Sequence, residues 1–367
     1  PRAGGSAAGA VGGRFRGRVS GGAPGGLSGG ASGGDSGGGD EPTVVAGPTL
    51  ALGARVAREV RDFPLASVHL QPSVMLSLDE PPVLMSGLPP LARLPRFARR
   101  MFYSLMHRQI DSVMGPAVNN FRATLGLPPV RRMYDRWWHS PDAILGLWPQ
   151  WFAPPAPDWP PNITLTGFAR YDAPPGRMGW RGQFIAPALA DKPVVFTPGS
   201  ANRHAHRFFL AAVDACLRLQ RPGILLTQFP EHLPASLPPF VRHIPYAPLQ
   251  DLLTHCAAIV HHGGIGTTAA SLAAGVPQIL MPLAHDQPDN AARIEKLGTG
   301  VTLPPRRFTG PNLAAQLAAL LHNPAIASRC RAVADKLLHE NGCEAAADKL
   351  QSMMRPVRPV RSRPEKK

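Results

Sequence analysis

At 367 residues with 44% hydrophobic composition the chain is long enough to bury the cores of two domains, while 43 prolines and 37 glycines exclude one uniform globule. The net charge of +15 raises the possibility of a nucleic-acid partner, but its distribution argues against one. Four arginines fall in the first 18 residues, and Arg355–Lys367 adds six basic residues against one Glu, so much of the charge sits at chain ends rather than on a folded face.

Residues 1–40 form a Gly/Ser-rich run with almost nothing to bury, which predicts disorder. Foldable sequence starts near Glu41. Thr43–Gly47 reads as a short strand, Thr49–Val60 as a helix with Leu52, Val56 and Val60 at helical spacing, and Leu65–Leu70 as a second strand: a βαβ unit. Residues 93–125 read as helical with a breaker at Gly115–Pro116. Arg93, Arg96, Arg99, Arg100 and Arg108 interleave there with Leu94, Phe97, Met101, Phe102 and Leu105. That pattern suits a solvated helix face, and it also suits docking against an anionic membrane surface. Residues 126–180 are rich in Pro and Trp, with brief strands at Ile144–Leu147 and Ile163–Gly167, and 168–190 reads as a linker.

Beyond the linker the alternation is regular. Strands are expected at Pro193–Thr197, Ile224–Thr227, Val241–Ile244, Ala258–His261 and Gln278–Met281. Helices are expected at Ala205–Leu219, Leu249–His255, Thr267–Ala274, Asp289–Leu297, Pro311–His322 and Ala325–Glu340. This is the pattern of a doubly wound α/β domain. Cys216, Cys256, Cys330 and Cys343 form no CxxC pair, which fits a reducing, cytoplasmic setting without a zinc ribbon, and no apolar run approaches the length of a membrane span.

The segment from Ile259 to Thr268 carries the chemistry. An apolar strand ends in His261-His262-Gly263-Gly264, and a helix opens on Thr267 and Thr268. Free N–H groups at such a helix start, glycines that admit an anion to the backbone and two hydroxyls suit a diphosphate. No Gly-Lys-Ser/Thr follows, so this is not a P-loop.

From Tyr246 to Ala291 the chain resembles the donor-binding motif of family 1 glycosyltransferases, in the style of the bacterial sterol, macrolide and rhamnolipid enzymes. The resemblance rests on Tyr246-Ala247-Pro248, Leu253, His255, His262, Gly266-Thr267, Gly275-Val276-Pro277, Pro282, Asp286-Gln287 and Asn290-Ala291. It implies an α/β protein of GT-B architecture: two Rossmann-like domains facing a cleft, the N-terminal one (41–180) incomplete and the C-terminal one (181–353) holding the donor, followed by a basic tail (354–367). It further implies Tyr246 and Ala247 at the nucleobase, and Ser200, His262, Gly264, Gly266, Thr267 and Thr268 at the diphosphate. Asp286 and Gln287 are implied at the sugar. Taken singly, His261 and His262 are also ordinary strand-end residues, and Asp286 an ordinary helix cap.

What the resemblance implies is inverting transfer of a hexose or deoxyhexose from a UDP- or dTDP-sugar to a hydroxyl of an apolar, lipid-like acceptor. The nucleotide sugar is a co-substrate, and no further cofactor or metal is expected, since no DxD pattern is evident. Leu249 replaces the motif's Gln, and Ala270 stands where plant members place a ribose-binding Glu; both departures keep dTDP donors open. The alternative is a non-catalytic nucleotide-sugar-binding remnant. Family members carry a catalytic histidine in a first strand-turn-helix unit that has no match here, and where many place its aspartate the chain reads Gly47-Pro48. His69 and His107 lie in other contexts, so no general base is assigned. Contact with the inner membrane face is the further expectation, with the Arg-rich helix and the Trp-rich region on the acceptor or membrane side.

Overall fold

The computed structural model describes residues 41–359 apart from 86–89, 171–188, 190, 201 and 203–204. The Gly/Ser-rich start, most of the expected linker and residues 360–367 lie outside the described residues.

The first half is built on a four-stranded parallel sheet. In chain order its elements are β1 (Val45–Pro48), α1 (Leu52–Val60), a two-residue strand β2 (Arg61–Asp62), β3 (Leu65–His69), α2 (Arg96–Thr124), β4 (Ala143–Gly146) and β5 (Ile163–Leu165). The sheet order is β1-β3-β4-β5, with all pairs parallel. Strand β4 is buried along its whole length, as an inner parallel strand must be.

Helix α2 corrects one expectation: it runs unbroken through Gly115–Pro116. An interior proline removes one backbone donor and crowds the preceding turn. Hydrogen bonds on both sides of it hold the helix together. The Asp111 carboxylate accepts from the backbone N–H groups of Arg132 (2.7 Å) and Met133 (3.0 Å), and Asn119 exchanges hydrogen bonds with both the N–H and the C=O of Val130. Arg99 is another correction. Instead of lying free on a solvated face, its guanidinium donates to the carbonyls of Leu94, Leu78 and Ala92.

The second half contains β6 (Val194–Thr197), α3 (His206–Leu219), β7 (Gly223–Leu226), β8 (Val241–Ile244), α4 (Leu249–Leu253), β9 (Ala258–His261), α5 (Ile265–Ala273), β10 (Gln278–Leu280), α6 (Gln287–Leu297), β11 (Gly300–Thr302), α7 (Gly310–Leu321), α8 (Pro324–Leu338) and α9 (Gly342–Ser352). Its six strands are all parallel in the order β11-β10-β9-β6-β7-β8, the 3-2-1-4-5-6 doubly wound arrangement read from its other edge. Alternate residues of β6 face opposite layers. Val194 and Phe196 pack with α3 and α7, and Val195 packs with α4 and the α5 end.

The Trp-rich segment is not an outward-facing feature. Trp138, Trp148, Phe152 and Trp159 are buried in one cluster with Ala269, Leu272 and Ile294 of the second half, so these rings form a core shared by both halves. Large rings bury much apolar area per residue, and that gain favours the interior over an exposed membrane-side position. The indole of Trp151 also donates to Glu340 at 2.7 Å, and Val83 N–H donates to Asp289 at 3.0 Å across the same boundary.

The chain end returns to the first half. Ala346, Leu350 and Met353 pack on β3 and β4, and Thr43 and Arg355 exchange backbone hydrogen bonds. Arg355 pairs with Asp62 through two hydrogen bonds, and strand β12 (Arg358–Pro359) lies antiparallel to β2. The segment expected to trail away as a free basic tail is therefore anchored as far as Pro359.

Candidate functional site

In a fully parallel sheet every strand's C-terminal end lies at the same edge, and a crevice opens where the strand order reverses. In the second half the reversal falls between β6 and β9, which are paired through Thr197↔His261. The loops at that point are Pro198-Gly199-Ser200 and His262-Gly263-Gly264. Along the same edge, Tyr246 and Ala247 follow β8, and Asp286 and Gln287 follow β10.

His262 occupies the middle of this edge. Gly199 has a φ of +92°, and a Cβ built there would stand 2.6 Å from His262 Cε1; a Cβ on Gly264 would collide with His262 Nε2. Only glycine at both positions leaves room for the imidazole ring. Burial holds the His262 pKa below its ordinary value against the opposing charge of Asp286, and its Nδ1 is enclosed without a partner among the described residues. A neutral imidazole with one uncommitted nitrogen therefore stands beside the α5 N-terminus.

His261, one residue earlier, has a structural role. Gly263 N–H donates to its Nδ1 at 3.1 Å, so its Nε2 carries the proton and donates to Gln278 Oε1 at 2.9 Å. Full burial lowers its pKa to about 3, which keeps the ring neutral.

Helix α5 starts at Ile265, two residues before the expected position, so Gly266 and Thr267 lie in its first turn. A Cβ on Gly266 would meet open space. Thr268 is fully enclosed, and its Oγ1 meets no partner among the described residues, so it presents nothing to the crevice. Asp286 Oδ2 accepts from Ile265 N–H at 3.2 Å and from Asn290 Nδ2 at 2.7 Å. Asp286 thus caps α5 rather than its own helix. Gln287 Oε1 accepts from the N–H groups of Leu283 and Ala284, which leaves its amide nitrogen as the group to offer a ligand. Ser200 is exposed, Ala247 is buried and Tyr246 is 37% exposed.

The roles of two groups of residues escape sequence reasoning. Asn290 is fully buried and donates to Gly263 O at 2.9 Å as well as to Asp286, so one amide ties the Gly-rich turn to the carboxylate. In the first half, a buried chain of hydrogen bonds leads to the end of β1. Trp138 Nε1–H donates to His139 Nε2 (3.1 Å), so His139 Nδ1 carries the proton and donates to His69 Nε2 (3.1 Å). His69 Nδ1–H then donates to Thr49 Oγ1 (3.0 Å). Burial lowers the pKa of His69 to about 3 and of His139 to about 4, so both rings are neutral members of this chain. The expected context of His107 is equally distinct: it lies on α2, with Nε2 3.4 Å from Asp135.

Comparison with known proteins bears on the family and the fold. Residues 224–353 match the family model described as erythromycin biosynthesis protein CIII-like, C-terminal domain. The O-mycaminosyltylonolide 6-deoxyallosyltransferase of Streptomyces fradiae is 36% identical over 243 residues, covering 62% of this chain and 54% of that protein. A sterol 3-beta-glucosyltransferase of Candida albicans is 30% identical over 216 residues, covering 54% of this chain and 14% of that protein. The chain thus spans about half the length of the first of these relatives. Among solved structures, the glycosyltransferase of kitacinnamycin superposes with a TM-score of 0.64 at 22% identity, covering 84% of this chain and 76% of that one, which establishes the shared fold. Residues 224–353 thus match the erythromycin biosynthesis protein CIII-like C-terminal domain, and the chain shares the GT-B fold of the solved glycosyltransferase.

Proposed function

We propose that the protein transfers a hexose or deoxyhexose from a UDP- or dTDP-sugar to a hydroxyl of an apolar acceptor, with inversion and without a metal ion. The observation that carries the reading is the position of His262, held between Gly199 and Gly264 beside the N-terminal turn of α5. Charge grows on the diphosphate as the sugar leaves. A helix N-terminus, the imidazole and the hydroxyls of Ser200 and Thr267 supply fixed donors and dipoles for that charge. Tyr246 offers a half-exposed ring for the base, and Asp286 Oδ1 and the Gln287 amide nitrogen remain for sugar hydroxyls.

Thermal unfolding with UDP, dTDP and GDP tests the donor site. A ligand at about 100 times its Kd adds about 2.7 kcal/mol, which at about 2–4 °C per kcal/mol for a domain of this size is a shift of roughly 5–11 °C. UDP or dTDP is expected to give this shift and His262→Ala to abolish it. A cooperative melt that no nucleotide moves would overturn the site.

A second reading, binding without turnover, is favoured by the state of the first-half histidines. His69 and His139 are neutral but locked in mutual hydrogen bonds, so neither has a free nitrogen to take an acceptor proton. Release of UDP or dTDP from the matching sugar in the presence of a sterol or macrolide acceptor separates the readings.

The apolar acceptor and peripheral membrane contact are supported by α2. Phe97 (74% exposed), Met101 (61%) and Leu105 (58%) form an i, i+4, i+8 stripe beside Arg100 and Arg108. No helix of the described residues is long and apolar enough to cross a membrane. Replacing Phe97 and Met101 by Ser is expected to reduce co-sedimentation with anionic vesicles severalfold. Unchanged sedimentation would remove the membrane from the reading.

A further inference from the structure

Beneath α2 lies a cavity of about 890 Å³ whose walls come entirely from residues 75–161, outside the segment that matches the family model. Its charge balance is unusual. Three carboxylates line it, and each is already engaged. Asp111 accepts from the backbone N–H groups of Arg132 and Met133, Asp158 accepts from Ser77 Oγ and Leu78 N–H, and Asp135 pairs with Arg132 and His107. Four guanidiniums on the same walls, those of Arg100, Arg108, Arg131 and Arg136, have no carboxylate partner among the described residues.

We propose that this cavity binds an organic phosphate with an apolar body: the phosphate among Arg100, Arg108, Arg131 and Arg136, and the body along Met75, Leu78 and Trp159. Several guanidiniums lining one cavity match a multiply charged tetrahedral anion better than a single carboxylate, because each presents a planar fork of donors. The apolar lining residues Met75, Leu78 and Trp159 favour a ligand with an apolar body over free phosphate. The inference is independent of the donor site, since no residue is shared between them.

Isothermal titration of the full chain with decyl phosphate, with decyl maltoside as the uncharged control, tests this. One site is expected, with the maltoside binding at least about tenfold more weakly, the equivalent of one charge-assisted hydrogen bond. Inorganic phosphate is expected to compete weakly. Arg100 and Arg136 are exposed, so the double replacement R100A/R136A leaves the fold intact and is expected to weaken decyl phosphate by a further factor of about ten or more. Vesicles containing phosphatidic acid distinguish the sources. Sedimentation lost in R100A/R136A identifies a membrane lipid, while decyl phosphate binding without sedimentation identifies a soluble ligand. Equal binding of phosphate and maltoside, or binding unchanged in the double variant, would overturn the proposal.

Discussion

Lowering the pH from 7.5 to about 5 is expected to remove several kcal/mol of folding stability, well before the carboxylates protonate. His69, His139 and His261 ordinarily titrate near 6.5, and burial lowers them to about 3, about 4 and about 3. The sign follows from linkage. A folded-state pKa below that of the unfolded chain means that the unfolded chain takes up protons first. The stabilisation is therefore complete above about pH 6.5 and is lost progressively as the pH falls toward the folded values. At about pH 5 each ring accounts for roughly 2 kcal/mol, and three together for at most about 6. His69 and His139 share a hydrogen bond, which makes that sum an upper bound. Against a typical total of about 5–15 kcal/mol this approaches unfolding. Urea titrations at the two pH values measure it, and a difference below about 1 kcal/mol would refute the burial argument. His139→Gln is expected to lower stability at the higher pH while flattening the pH dependence.

Glu59 is the second large expectation. Its carboxylate accepts from Arg122 (2.7 Å), Trp137 Nε1 (2.7 Å) and Arg55 (3.0 Å), so one side chain ties α1 to α2 and to the turn at 133–137. Burial pushes the Glu59 pKa up, but the hydrogen bonds from Arg122 and Trp137 and the nearby guanidiniums outweigh it and hold it below the usual carboxylate range. The Arg122 side chain is only 1% exposed. Glu59→Ala would leave that guanidinium buried and unpaired, at an expected cost of about 3–5 kcal/mol. Pairing Glu59→Leu with Arg122→Met removes both charges and is expected to recover most of the loss. A single-variant cost below about 1 kcal/mol, or no recovery in the pair, would show that the charges do not act together. Loss of this tie is also expected to loosen α2, which carries Arg100 and Arg108 of the cavity wall.

The second half is largely legible in the amino-acid pattern, and the reasons are local. Short β-branched apolar runs alternate with amphipathic stretches, so Val241–Ile244 and Ala258–His261 emerge with the expected bounds. Parallel alternation also indicates which loops share an edge, and hence that Ser200, Tyr246, His262 and Asp286 stand on one side of one sheet. Other features resist reading because they depend on distant partners. A helix running through Pro116 depends on Asp111 and Asn119 meeting a segment that follows the helix. The first-half histidine chain joins His69 to His139 across 70 positions, with no periodicity to announce it. Strand β11 has three residues, and α9 lies in a segment read only as domain end. Five tryptophans between 137 and 159 look like an interface signal by composition, yet partners in α5, α6 and α8 draw four of them into the core, and Val56, Met114 and Val118 pack with Trp137.

The pairing of Arg355 with Asp62 spans 293 positions of sequence. Contacts that distant form late, because a long loop must close before they contribute. During synthesis the first sheet therefore emerges without the helix and strand that cover it, while the second half can complete its own sheet as soon as β11 is made. The half that emerges first from the ribosome is thus the half that finishes last. In the interval its open sheet is the segment most in need of chaperone protection.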